Sequence, residues 1–174
     1  MYRYRHRAAT ALLLALMVVA SMGAWAQDSA RGLRGLARVA LDISLAPDVV
    51  DLRDEVEQRM EQALREQPTA PALSREGADK LRLVVTVQAK NASELRGFWM
   101  PFSGIYAIGY VRLEVERAVA LPGSTPSAVP VPAIVWQADR LVSVPWRRAE
   151  AEIGDAVEKL LGVFLEDYRR TRGR

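Results

Sequence analysis

The chain has 174 residues, of which 24 are lysine or arginine and 21 are aspartate or glutamate, and it contains no cysteine. Three of the arginines precede Ala26 and no acidic residue does, so the chain after Ala26 carries 21 charges of each sign and is formally neutral. This balance gives no electrostatic indication of a nucleic-acid partner, and the absence of cysteine excludes disulfides and the lipid-bearing cysteine of bacterial lipoproteins.

Residues 1–26 have the pattern of a secretory signal peptide. Three arginines within the first seven residues form a positive segment, and the almost continuous apolar run Ala8–Ala20 follows it. Ala24 and Ala26 supply the small side chains that signal peptidase requires. The run is shorter than the roughly 20 residues that span a bilayer, which favours cleavage over a retained anchor. We expect a periplasmic or secreted product that does not span the membrane.

The chain after Ala26 has the length of one domain. Residues 27–35 predict a flexible leader, because Gly32 and Gly35 lose much backbone entropy when ordered. Alternation between Val39 and Leu45 predicts the first strand. A helix follows and ends before Pro68, with an apolar stripe at Leu52, Val56, Met60 and Leu64.

Three further strands are predicted from the same alternation. The second covers Leu81–Ala89, after a loop at 69–80 that can hold a short strand. The third covers Ile105–Leu121, and a proline-rich loop at 122–132 separates it from the fourth, Ile134–Val144. The expected core residues of the fourth strand are Ile134, Trp136, Val142 and Val144.

The longest helix is predicted over Arg148–Arg170, and residues 171–174 form a basic tail. Its apolar stripe comprises Ala149, Ile153, Val157, Leu160, Leu161, Phe164 and Tyr168. A mixed sheet of about four strands with both helices on one face would bury every stripe, so we predict a single two-layer α+β domain over residues 36–170. The first strand, helix and second strand predict a right-handed crossover, and the later strands predict antiparallel neighbours.

The element order strand–helix–strand–strand–strand–helix resembles that of small exported bacterial envelope modules such as the amino-terminal domain of TolB. The resemblance covers most of the chain after Ala26 and lies in element order, without a shared motif. The absent lipid-bearing cysteine departs from the lipoproteins among these modules. The resemblance implies an accessory role in the cell envelope and assigns no residue.

Aromatic residues are concentrated between Arg96 and Tyr110, which hold five of the nine that follow Ala26. Most lie in a segment bracketed by Gly97 and Gly104, where they would form either an exposed interface or a second core over the sheet. Gly109 is expected to leave space for a closely approaching chain or ligand. The predicted partner-binding residues are Arg96, Phe98, Trp99, Met100, Phe102, Tyr106 and Tyr110. Their composition suits a protein partner or an amphiphilic ligand, and a homo-oligomer remains open.

The only histidine, His6, precedes Ala26. Without histidine or cysteine, the exported chain cannot build a Ser-His-Asp triad, a cysteine nucleophile or a His/Cys zinc site. Paired carboxylates remain, and Glu114 with Glu116, or Asp139, could serve a hydrolase that acts on an envelope polymer. Strand parity places both glutamates on a polar face, where solvation is the simpler interpretation. We therefore predict a non-enzymatic binding protein without metal or cofactor.

Overall fold

The structure is a computed structural model that describes residues 30–75, 79–95, 104–120 and 129–172. The described residues form six strands and two long helices. The strands are β1 (Arg38–Leu45), β2 (Ala72–Leu73), β3 (Lys80–Val85), β4 (Gln88–Asn91), β5 (Ile105–Val119) and β6 (Val131–Pro145). The helices are α1 (Arg53–Glu66) and α2 (Ala149–Arg172), and each follows a short 3-10 turn, Pro47–Leu52 and Trp146–Arg148 respectively.

The strands form one mixed sheet, and β5 has neighbours on both sides. It pairs antiparallel with β6 along its whole length, and on its other edge with β3 and β4. Strand β1 runs parallel to β3, as a connection through α1 allows, and β2 runs parallel to β1. The α+β class and the mixed sheet are confirmed. The described residues hold six strands rather than about four, because the predicted second strand divides into β3 and β4 and the loop at 69–80 contributes β2.

Both helices pack on one face of this sheet, and their predicted apolar stripes are confirmed. Val56, Met60 and Leu64 of α1 are buried, and so are all seven stripe residues of α2. They form one core with alternate residues of β1, β3, β5 and β6. Within it the ring of Phe164 meets that of Trp136 edge-on, with centroids 5.4 Å apart. None of the helices in the described ranges is long and apolar enough to cross a bilayer.

The described part of the predicted leader, residues 30–35, is an ordered turn that packs on the domain. Leu33 is fully buried in the core. The Arg117 guanidinium donates to the carbonyl oxygens of Gly32 (3.2 Å) and Arg34 (2.8 Å). A Cβ at Gly32 would lie 2.1 Å from the Val135 carbonyl oxygen, so only glycine fits this contact. These contacts offset the entropy that the sequence-based prediction of a flexible leader relies on.

Strand β6 departs from its predicted pattern at a β-bulge. Trp136 pairs with Val115, but Ile134 pairs with Glu116, so one extra residue lies between them on β6. Because of this extra residue, the side chains that precede the bulge lie on the opposite face of the sheet from the one that strict alternation predicts. Trp136 and Val142 are buried as predicted, whereas Ile134 is 52% exposed. The strand also begins at Val131, inside the region predicted as a loop.

Candidate functional site

Two of the predicted site residues, Tyr106 and Tyr110, lie within the described residues, on the face of the sheet that is turned away from the helices, here called the outer face. Strand alternation and pairing register place its members, because residues directly opposite each other point to the same side. Among them are Asp42 on β1, Arg82 on β3, Tyr106, Ile108, Tyr110, Arg112, Glu114 and Glu116 on β5, and Asp139 and Leu141 on β6.

A row of charges crosses the middle of the outer face. Asp42, Arg82 and Glu114 are direct neighbours across β1, β3 and β5. The Arg82 guanidinium lies 3.4 Å from an Asp42 carboxylate oxygen, 3.8 Å from Glu114 and 3.9 Å from Glu116. Lys80 adds a fourth contact, 3.8 Å from Glu116. Opposite charges directly across strands stabilise a sheet, so this row supports the fold whatever else it does.

Glu114 is buried, which corrects the expectation that both glutamates are solvated. Its side chain is 6% exposed, whereas that of Glu116 is 23% exposed. Burial of a carboxylate is costly unless a cation accompanies it, and Arg82 supplies that charge. The Nε atoms of Arg82 and Arg112 are themselves buried and find no hydrogen-bond acceptor among the described residues. The outer face is therefore a partly buried charged layer.

The charged row gives way to an aromatic and apolar region toward the beginning of β5. The Arg112 guanidinium lies over the Tyr110 ring, with its carbon 4.8 Å from the ring centroid. Tyr110 is half-buried and pairs with Leu141, which is 75% exposed. Tyr106, four residues earlier, is 6% exposed and lies outside the main core cluster. The open part of this region is thus Leu141 with Tyr110 and Arg112.

Gly109 serves a close approach within the chain. Its backbone lies against residues 86 and 87, which connect β3 to β4, and a Cβ there would sit 2.6 Å from the Thr86 carbonyl oxygen. Thr86 donates from its backbone nitrogen to the Tyr110 carbonyl (3.0 Å), and its hydroxyl oxygen accepts from the Tyr110 nitrogen (3.2 Å). The closely approaching chain predicted at Gly109 is therefore the β3–β4 connection, and this contact fixes the backbone of Tyr110.

Five of the predicted binding residues lie outside the described residues: Arg96, Phe98, Trp99, Met100 and Phe102. The two ends of their segment are described and meet at the end of the β4–β5 hairpin. Asn91 pairs with Ile105, and the Ala92 nitrogen donates to the Gly104 carbonyl at 2.9 Å. At the first of these ends, a hydrogen bond from the Asn91 side chain (2.9 Å) lowers the pKa of Glu94 below its ordinary value.

The sequence-based predictions missed Asp42, Arg82 and Leu141, and the sequence holds no signal for the first two. A charge pair across strands is recognisable only when the register is known, and the register is a property of the folded sheet. Leu141 did carry a signal, because it is an apolar residue at the parity opposite to Trp136 and Val142. Apolar side chains on the solvent side of a strand are typical of contact surfaces when they cluster.

Two grooves lie away from the outer face. One, of about 340 Å³, runs between α1 and α2, with Ala63, Leu161 and Leu165 among its lining residues. The other, of about 550 Å³, lies between α1 and the β1–β2 edge, with Glu57, Glu61, Arg65 and Arg75 among its lining residues. No predicted site residue lines either groove. Among the described residues, no group of three acidic or histidine side chains could hold a metal ion.

No family model matches the chain, and no curated protein matches it significantly. Its function is therefore inferred from its residues.

Proposed function

We propose that this is an exported, non-enzymatic protein of the cell envelope that binds a protein partner or an amphiphilic ligand. The binding surface comprises Tyr110 and the aromatic segment 96–103, extended by Leu141, whereas Tyr106 is only 6% exposed and is not counted in it. The observation that carries the proposal is the 75% exposure of Leu141 beside Tyr110 and Arg112. Tyrosine and arginine contribute a large share of contact energy in interfaces, and an exposed leucine gains from being covered.

The hairpin geometry supports the inclusion of the aromatic segment. Both ends of the segment are attached where β5 begins, and Tyr110 lies six residues after Gly104. The segment is therefore joined to the strand that carries Tyr110. Envelope location rests on the signal-peptide pattern of residues 1–26.

The hydrolase is the alternative, and the buried Glu114 is the observation in its favour. A carboxylate pair that cleaves glycosides needs space between the two acids for the substrate, with one acid held protonated in an apolar environment. Glu114 and Glu116 instead share the Arg82 guanidinium, which lies within 4 Å of both. This arrangement favours a structural role for the pair. A Glu114→Gln variant that loses hydrolysis of an envelope polymer while remaining folded would support the enzyme.

The test compares Leu141→Ser and Trp99→Ala with Val163→Ser. Val163 lies on α2 and is 46% exposed, so its variant removes a similar apolar side chain from a different surface. Partner capture from envelope extract is measured, together with tryptophan fluorescence on titration with dodecyl maltoside, which carries both an alkyl chain and a sugar. We expect both site variants to lose capture, Leu141→Ser to lose the fluorescence response, and the control to retain both. Fluorescence is not compared for Trp99→Ala, because that change removes the reporting indole.

Urea unfolding separates binding from folding in these variants. An interface side chain should change the free energy of unfolding by less than about 1 kcal/mol. If Trp99 belongs to a second core, Trp99→Ala should cost about 3–5 kcal/mol. A large loss of stability with capture unchanged per folded molecule would overturn the proposal.

A further inference from the structure

We propose that one end of the molecule, here called the basic end, binds the anionic surface of a phospholipid membrane. It consists of the turn at 30–35 and the last turn of α2, whose exposed arginines are Arg31, Arg34, Arg169, Arg170 and Arg172. This surface is separate from the outer face and extends the function beyond the binding site proposed above.

Specific contacts hold the two parts of the basic end together. The Tyr168 hydroxyl donates to the Leu36 carbonyl oxygen at 2.6 Å, and both residues are buried. The Arg172 guanidinium lies over the Tyr168 ring, 5.2 Å from its centroid. Arg117 on β5 binds the turn by donating to the carbonyl oxygens of Gly32 and Arg34. The turn and the last turn of α2, which carry these arginines, are therefore adjacent in the fold.

The charges of this end do not cancel. Among the described residues, the basic end with Arg117 holds six arginines, and the acids that ion pairs place beside them are Asp79, Glu166 and Asp167. Asp79 is bound to Arg117 at 3.2 Å, Glu166 pairs with Arg170, and Asp167 is shared between Arg170 and the Trp136 indole. Arg34 and Arg169 have no carboxylate partner among the described residues, and Arg172 contacts only a ring there. The described part of this end thus carries a local positive excess.

An acidic surface on a second copy is the competing partner, and three of its carboxylates are already paired within the chain, whereas Asp51, Asp54 and Glu57 form no ion pair among the described residues. On α1, Glu55 is bound by Arg59 and Glu61 by Arg65, each at 2.7 Å. Glu158 of α2 is also bound by Arg59, at 2.7 Å. Intramolecular pairs of this kind reduce the gain from contact with another copy's arginines. A lipid surface has no such internal partners.

The sequence before the basic end also favours the membrane. The apolar run Ala8–Ala20, which the sequence predicts to engage the membrane during export, ends eleven residues before Arg31. Eleven extended residues span at most about 40 Å. While the run is attached, the chain therefore reaches the folded domain at its basic end, where arginines meet anionic headgroups favourably.

The test uses the exported protein and vesicles of 30% phosphatidylglycerol in phosphatidylcholine, measured by co-sedimentation. The site variant combines Arg34→Gln, Arg169→Gln and Arg172→Gln. The matched control combines Arg53→Gln, Arg147→Gln and Arg148→Gln, which removes the same net charge. Arg147 and Arg148 precede the opposite end of α2, about 36 Å away at 1.5 Å per residue. All six arginines are exposed, so folding should survive, as a thermal melt would check.

We expect each arginine removed from the basic end to weaken binding about fivefold, so that the site variant binds roughly 100-fold more weakly. The control should bind within about threefold of wild type, and binding should fall as salt increases. Equal loss in both variants would mean that net charge alone acts, and would overturn the proposal. Equal binding of all proteins to pure phosphatidylcholine would show that anionic headgroups are not required, and would also overturn the proposal.

A dimer that the site variant disperses, without vesicle binding by wild type, would replace the lipid with a second copy. The Leu141→Ser variant should bind these vesicles like wild type, so the basic end and the outer face can fail independently.

Discussion

Glu114 illustrates how a single residue acquires a different role in the fold from the one its sequence position suggests. Its parity predicts solvent, yet its side chain is 6% exposed and faces Arg82 across the β3–β5 pair. The burial of a charge makes its partner important, because removal of one member leaves the other uncompensated. Arg82 itself is 39% exposed, so water screens part of this interaction.

We predict that Arg82→Met lowers the free energy of unfolding by about 1–3 kcal/mol, because it leaves Glu114 buried without its cation. The double variant Arg82→Met with Glu114→Met should recover part of this loss. Arg65→Met is the control, since Arg65 and Glu61 form an exposed pair on α1 whose loss should cost about 0.5 kcal/mol or less. Urea unfolding of the four proteins measures these differences. Equal effects of Arg82→Met and Arg65→Met would show that Glu114 is effectively solvated.

Two glycines allow a second comparison at the residue scale. We predict that Gly109→Ala destabilises the protein by about 1–3 kcal/mol, because its Cβ would meet backbone atoms 2.6 and 2.7 Å away. Gly162→Ala should instead stabilise it by about 0.5–1 kcal/mol, because that helical position has open space and alanine favours a helix. Thermal or urea unfolding measures both effects. An unchanged free energy of unfolding in Gly109→Ala would contradict the close approach of β5 to residues 86 and 87.

At the scale of elements, helix α2 is expected to dominate stability, since all seven residues of its stripe are buried. We predict that Leu160→Ala and Leu161→Ala each cost about 2–5 kcal/mol, the range for truncated core leucines. Val163→Ala, on the exposed side of the same helix, should change stability by less than about 0.5 kcal/mol. Losses below about 1 kcal/mol at both leucines, well under that range, would contradict the packing of α2.

The elements themselves could largely be predicted from the sequence, because apolar periodicity is a local property. Both helices and the four main strands lie where alternation and helical spacing place them. The face of the sheet on which Ile134 lies could not be predicted correctly. It depends on a bulge that is recognisable only when β6 is paired with β5. The division of the second strand at residues 86 and 87 likewise depends on the approach of Gly109 from a neighbouring strand.

For the whole molecule, we predict cleavage after Ala26, because Ala24 and Ala26 occupy the two positions that must be small. Mass spectrometry of the exported protein should therefore find Gln27 at the N-terminus. Ala26→Arg should block cleavage there and serve as the control. An N-terminus upstream of Ala20 in the wild-type protein would contradict the periplasmic or secreted location.

The site was predictable in part at this scale. The sequence places Tyr106 and Tyr110 on the face opposite the core residues, and the pairing register agrees with that placement. It could not indicate the row of Asp42, Arg82 and Glu114, whose members come from three separate strands. Nor could it indicate the basic end, because Arg34 and Arg169 lie far apart in sequence. Such groupings exist only once the chain is folded.

The hydrogen bond between Tyr168 and Leu36 joins positions 132 residues apart, so it also bears on when the domain can fold. A chain is synthesised from its N-terminus, so the Leu36 carbonyl has to wait for α2 before this hydrogen bond can form. Contacts between residues so far apart in sequence form slowly, because the intervening chain must first lose conformational entropy. An export route that carries unfolded chains would deliver this protein before that closure. The arrival of the last 24-residue helix therefore sets the earliest time at which the domain can close.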